Sequence, residues 1–163
     1  MCPGLGVSLC MLWRDKLLYF DQAAHGLDTN VFEGSDYPLH LSSPGLLFLL
    51  DLPRAEAIRR LRDSREKFGW TQLTPIVPDD EEGVLRAAGQ LHQADTLILS
   101  EWAWPHHVSA AIRLRSTDEH PLALAIAGAV DALSTEALRT RLHAIRAVVE
   151  PTLRNVPGEK SSR

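Results

Sequence analysis

Gly34-Ser35-Asp36-Tyr37-Pro38-Leu39-His40-Leu41-Ser42-Ser43-Pro44-Gly45-Leu46-Leu47-Phe48-Leu49 is the stretch on which the fold turns. Gly34-Ser35-Asp36 breaks the chain after Val31-Phe32, a pair that fits a short strand. Helical periodicity starts after Pro44-Gly45. There Leu46, Leu47, Leu49 and Leu50 are apolar on every side, the pattern of a helix buried in the core.

On the N-terminal side, Val7, Leu9 and Met11 alternate with Ser8 and Cys10. The polar turn Arg14-Asp15-Lys16 then leads to Leu17-Leu18-Tyr19-Phe20, which predicts a β-hairpin. Ala23 to Asn30 reads as a loop. On the C-terminal side, Pro53 opens a second helix with Ala57, Ile58 and Leu61 on its apolar stripe. A third helix follows Pro78, with Asp79, Asp80, Glu81 and Glu82 at its positive end and Val84, Leu85, Ala88 and Leu91 on its core face. The period then changes. Thr96 to Ser100, Val108 to Leu114 and Leu122 to Ala129 are strand-like, the last two joined by a turn over Thr117-Asp118-Glu119-His120-Pro121. Ser134 caps a long helix carrying Leu138, Leu142, Ile145 and Val149 on one face, and Pro151 ends or kinks it. The order β-β-(β)-α-α-α-β-β-β-α, with hairpin-linked strands and segregated helices, defines an α+β domain with an antiparallel sheet.

Composition narrows the function. The 163 residues suit one domain, and 45% hydrophobic content supplies its core. A net charge of −4 argues against binding a nucleic-acid backbone. The arginines among Arg54, Arg59, Arg60, Arg62, Arg65 and Lys67 alternate with Glu56, Asp63 and Glu66, as on a solvated helix face. Cys2 and Cys10 form neither a disulfide framework nor a CxxC metal knuckle. No apolar run approaches the ~18 residues of a membrane span. No Lys or Arg precedes Arg14, so Leu5 to Trp13 reads as a first strand rather than a secretion signal, and a cytoplasmic location is expected.

Catalytic chemistry is hard to assemble. The seven histidines are scattered, and adjacent His106 and His107 point to opposite faces of a strand. HExxH, GxSxG and Walker-type loops are absent. A hydrolase built on His40 with Ser42 or Ser43 lacks a third orienting group, so a non-enzyme is expected. Glu101-Trp102-Ala103-Trp104-Pro105 places two of the four tryptophans between two strands. They either seal one end of the core or line the mouth of a ligand pocket.

Three segments together resemble the C-terminal effector-binding domain of IclR-family bacterial transcription regulators. Leu17-Leu18-Tyr19-Phe20-Asp21 resembles the family's second strand. The Gly34 to Leu49 stretch is similar to its Gly-x-x-x-Pro-Leu-His signature, and Val108-Ser109-Ala110-Ala111 with Leu124 to Gly128 resembles its last strands. The resemblance covers about residues 7–153. It implies a GAF-like α+β domain with a curved sheet of about six strands, spanning 1–156, with a flexible tail at 157–163. It also implies a small-molecule effector, self-association as a dimer or tetramer, and DNA contact only through a helix-turn-helix domain that this chain does not contain. No cofactor and no metal are implied.

Carried over residue by residue, the family's effector contacts fall on Ile98, Val108, Ala125, Ala127, Ser43 and Pro44; Ser100 and, farther off, His40 are the other local donors, and Leu39, Trp102 and Trp104 complete the candidate site. The acidic, cysteine and serine anchors of carboxylate-binding members fall on Ile98, Val108, Ala125 and Ala127. Backbone donors fall on Ser43 and on Pro44, which has no N–H. An apolar pocket for a hydrophobic or aromatic ligand is expected, because a desolvated carboxylate without donors costs several kcal/mol. The alternative is a stand-alone structural oligomerisation module that binds no ligand.

Overall fold

In a computed structural model, residues 5–13, 16–24, 37–70, 74–115 and 120–154 are described. The strand expected at Val31-Phe32, the breaker at Gly34-Ser35-Asp36 and the tail from Pro157 lie outside them.

Strands β1 (Leu5–Trp13) and β2 (Lys16–Ala24) form the expected hairpin. A 3-10 turn, Leu39–Leu41, leads into α1 (Ser43–Leu49), then α2 (Arg54–Phe68) and α3 (Glu81–Leu91). Strands β3 (His92–Gln93), β4 (Thr96–Ser100), β5 (His107–Leu114) and β6 (Leu122–Ala129) precede α4 (Thr135–Arg154). The sheet has the order β2-β1-β6-β5-β4-β3, with antiparallel neighbours throughout.

Both faces of the central strands are covered, so β5 and β6 read as nearly continuous apolar runs. One face carries Leu97, Leu99, Ala111, Ala123, Ala125 and Cys10, buried against the leucines and Phe48 of α1. The other carries Ile98, Val108, Ala110, Ile112, Leu124 and Ile126, buried against Leu138 and Leu142 of α4. The small alanines on the α1 side let that short, fully buried helix approach closely. Burial of each leucine contributes roughly 1.5–3 kcal/mol.

Local chemistry sets the ends of the helices. Ser42 caps α1 by accepting from Gly45 N–H at 3.1 Å, and Asp80 caps α3 by accepting from Gly83 N–H at 2.7 Å. Ser134 caps α4 through Ala137 N–H at 3.2 Å. The helix runs three residues past Pro151, where the sequence reading ends or bends it. Leu153, just beyond the proline, packs against the α4-side core, and only the final turn lies past the missing N–H. Leu91, expected in the core, is 43% exposed because α3 ends there and the chain turns into β3.

Four of the five arginines of α2, Arg54, Arg59, Arg60 and Arg65, are paired, as their alternation with acids suggests. Glu56 bridges Arg59 and Arg60, Asp63 meets Arg59, Glu81 meets Arg65 and Glu82 meets Arg54. Hydrogen bonds from Arg59 and Arg60 hold the Glu56 carboxyl down to about 2. These pairs cancel the positive patch that a phosphate backbone would require.

The short β3–β4 hairpin turns through Ala94 and Asp95 at φ 48° and 61°, a left-handed conformation usually given to glycine or asparagine. A stripe on α4 grips it. Arg139 donates to Gln93 Oε1 at 3.1 Å, His143 Nε2 lies 3.0 Å from the Ala94 carbonyl, and Arg146 binds Asp95 at 3.2 Å. Relief of strain at Ala94 predicts that Ala94→Gly stabilises the protein by about 1 kcal/mol, read as a higher denaturation midpoint.

Candidate effector site

The signature stretch becomes the hub between the sheet and the helices. Leu39, His40, Leu41, Ser42 and Ser43 are all buried. His40 stacks on Trp70, ring centroids 4.3 Å apart and planes 10° apart, and Arg65 lies 5.0 Å over the other partner, Trp70. The Trp102 indole donates to the His40 carbonyl at 2.8 Å, and Thr74 Oγ1 donates to the Trp102 carbonyl at 2.7 Å. Ser64 accepts from Leu39 N–H at 3.1 Å. One tryptophan therefore ties the β4–β5 loop to the signature turn. Trp102 is buried and seals the core, whereas Trp104 is 49% exposed and hydrogen-bonds Tyr37. The two readings of the tryptophan pair thus divide between its members. The loop is bracketed by two left-handed residues, Glu101 at φ 52° and His106 at φ 58°.

Beside this hub, α1 covers only part of its sheet face. Gly6, Ser8, Ser109 and Ala127 lie on that same face by register and stay half-exposed, forming a shelf of small side chains. Ser43, the first residue of α1, reaches it: its hydroxyl lies 2.5 Å from that of Ser109. Ser42 and Tyr19 hydroxyls are 3.3 Å apart nearby. Burial pushes the Tyr19 phenol and the Cys10 thiol upward, so both are neutral at physiological pH and Cys10 is not a nucleophile.

The expected contacts do not all converge. Leu39, Ser43, Trp102 and Ala125 fall on the α1 side, where Ala127 also points. His40 is next to them but holds its ring against Trp70. Ile98 and Val108 lie in the α4-side core, and Ser100 shares their face by register and is exposed. These three therefore do not line the shelf. The reason is the two-residue repeat of a strand, which sends neighbouring side chains to opposite faces of the sheet. Leu97, Leu99 and Ser109 occupy the α1-side positions instead. Ser109 is the polar group that sequence reading missed, although it stands next to Val108 in the quoted motif. Its intermediate burial beside fully buried Val108 and Ala110 is the only local signal, and it requires the structure.

Among the described residues, no group of three or more His, Cys, Asp or Glu side chains gathers to hold a metal. No described helix is long and apolar enough to cross a membrane. Ser42 and Ser43 are engaged by Tyr19, Gly45 N–H and Ser109, none of which is a general base.

No family model and no curated protein matches the sequence. Solved structures do match the fold. The inducer-binding domain of the PobR transcription factor from Acinetobacter, a double mutant with 3-hydroxybenzoic acid, aligns with a TM-score of 0.70 and 21% identity over 94% of this chain and 89% of that one. An IclR homolog from Microbacterium hydrocarbonoxydans, in complex with 4-hydroxybenzoate, gives 0.69 and 18% over 91% and 60%. An IclR transcriptional regulator from Alicyclobacillus acidocaldarius gives 0.68 and 20% over 90% and 60%. The chain thus has the fold of IclR-type effector domains and spans about 60% of the two regulators compared in greater length. The similar structures are transcription regulators rather than enzymes.

Two predictions test the hub. Trp102→Phe leaves the buried His40 carbonyl without its donor and lowers stability by about 1–3 kcal/mol, measured by denaturant unfolding at unchanged slope. His107 is half-buried, and desolvation lowers its pKa from the ordinary 6.5. The unfolded chain therefore binds the proton first as pH falls through about 6.5, and this contribution to stability is lost on acidification. His107→Gln should flatten the loss of melting temperature between roughly pH 7 and pH 5.5 relative to the parent.

Proposed function

We propose that residues 1–156 form the effector-binding domain of an IclR-type transcription regulator that senses a small aromatic molecule. The observation that carries this reading is the partly exposed shelf of Gly6, Ser8, Ser109 and Ala127 beside the Ser43–Ser109 hydroxyl pair, on the fold shared with the hydroxybenzoate-bound regulators. Small side chains leave room for a flat ring to lie against the sheet. The paired hydroxyls can exchange one mutual bond for bonds to a ligand hydroxyl, so a phenolic group enters without an orphaned polar atom. No Lys or Arg side chain among the described residues stands on the shelf. Arg113, on the same sheet face, is held at the far end of α1 by Asp51 and the Leu47 carbonyl. A neutral phenol therefore fits better than a glyoxylate-like anion.

In this reading the domain self-associates as a dimer or tetramer, reaches DNA only through a helix-turn-helix domain outside this chain, and works in the cytoplasm. Effector occupancy shifts the population of regulator arrangements.

Thermal melting against phenols, hydroxybenzaldehydes, hydroxybenzoates and glyoxylate tests the ligand class. A fitting phenol near 100 times its Kd raises the melting temperature by roughly 5–10 °C. Ser109→Leu, which fills the shelf, abolishes that rise. Stabilisation by glyoxylate alone, or by no compound in the panel, defeats the reading.

A further inference from the structure

The α4 side of the sheet holds a second feature, unrelated to the effector shelf. Helix α4 lies across β4, β5 and β6 and leaves β1 with Val7, Leu9 and Met11 only half-covered on this face. Between the helix and β1 runs an open groove of about 920 Å³. Leu5, Val7 and Ile126 make its floor, and Ala137, Thr140, Ala144, Ile145 and Val148 make its helical wall. Val148 is 73% exposed, the largest exposure among the big hydrophobic residues described.

The wall also carries Arg141. It is half-buried against the apolar lining and has no ion pair or hydrogen bond within the described residues, whereas Arg139 and Arg146 on the same helix are bound to Glu136 and Asp95. A guanidinium partly withdrawn from water without a counter-charge is costly to keep and gains most from an incoming carboxylate. The groove follows α4 from Ser134 to Val149, roughly 20 Å at the helical rise, and one α-helix laid beside α4 at about 8–10 Å spacing would fill it. A cleft this open cannot enclose a small ligand.

We propose that this groove docks an amphipathic helix of a partner polypeptide, its apolar stripe on Val7, Ile126 and Val148 and an acidic side chain paired with Arg141. A second copy of α4 satisfies the geometry less well. Antiparallel pairing over the whole groove brings the two Arg141 side chains together at the symmetry axis. Moving the axis to pair Arg141 with Glu136 leaves Val148 uncovered.

The test uses the full chain and two labelled helical peptides of roughly 14 residues, enough to span the groove. Both carry leucines at i, i+3, i+4, i+7 and i+11, and one carries a central Glu where the other carries Lys. Fluorescence anisotropy should show the Glu peptide binding about tenfold more tightly. Arg141→Glu should reverse that preference, and Val148→Glu, at an exposed site, should abolish binding of both without lowering the melting temperature. The proposal is overturned if neither peptide binds, or if both bind alike whatever stands at 141. It is equally overturned if sedimentation shows a dimer that Val148→Glu dissociates, which would assign the groove to a second copy.

Discussion

Burial of β5 and β6 on both faces is the constraint from which the rest follows. A strand presents alternate residues to opposite sides, so covering both sides requires two apolar sets interleaved one residue apart. Leu97, Leu99, Ala111 and Ala123 serve α1, while Ile98, Ala110, Ile112 and Leu124 serve α4. Neither helix could be moved to the other face without putting large side chains where small ones are needed. Ala111, Ala123 and Ala125 belong to the α1 side, and that is why this short helix sits close enough for Ser43 to reach Ser109.

The same alternation divides the molecule into two working surfaces. On the α1 side, the signature turn, Trp70, Trp102 and Thr74 form a cross-braced hub next to a shelf of small residues. Its strength comes from buried backbone carbonyls that receive side-chain donors. Losing a donor costs more there than at the surface, because the acceptor is left desolvated. On the α4 side, the helix grips the β3–β4 turn with Arg139, His143 and Arg146 and leaves its opposite flank apolar around Arg141, which has no partner among the described residues. The two faces thus share strands but no side chains.

Much of the fold is legible because the signals are strong and local. The hairpin, the buried α1, the acid-capped α3 and the Ser134-capped α4 each rest on a pattern of several residues with one physical meaning. The two-residue strand β3 carries no such pattern, and the left-handed turn at Ala94 and Asp95 lacks the glycine that announces one. The candidate site residues divide between the two faces: Leu39, Ser43, Trp102, Ala125 and Ala127 lie on the α1 side, and Ile98, Val108 and Ser100 on the α4 side. In a strand apolar on both faces, nothing in the residue types tells which parity faces which helix.

The sequence by itself determined the element types, the antiparallel α+β architecture and the signature turn, because helix periodicity, caps and hairpin turns are properties of neighbouring residues. Tertiary structure decided which face each central side chain takes, that Ser109 rather than Val108 meets Ser43, and that Arg141 stands in an apolar groove with no partner among the described residues. Those facts depend on strand register and on which helix covers which half of the sheet. Both are set by packing between residues far apart in the chain, where a shift of one position reverses the answer.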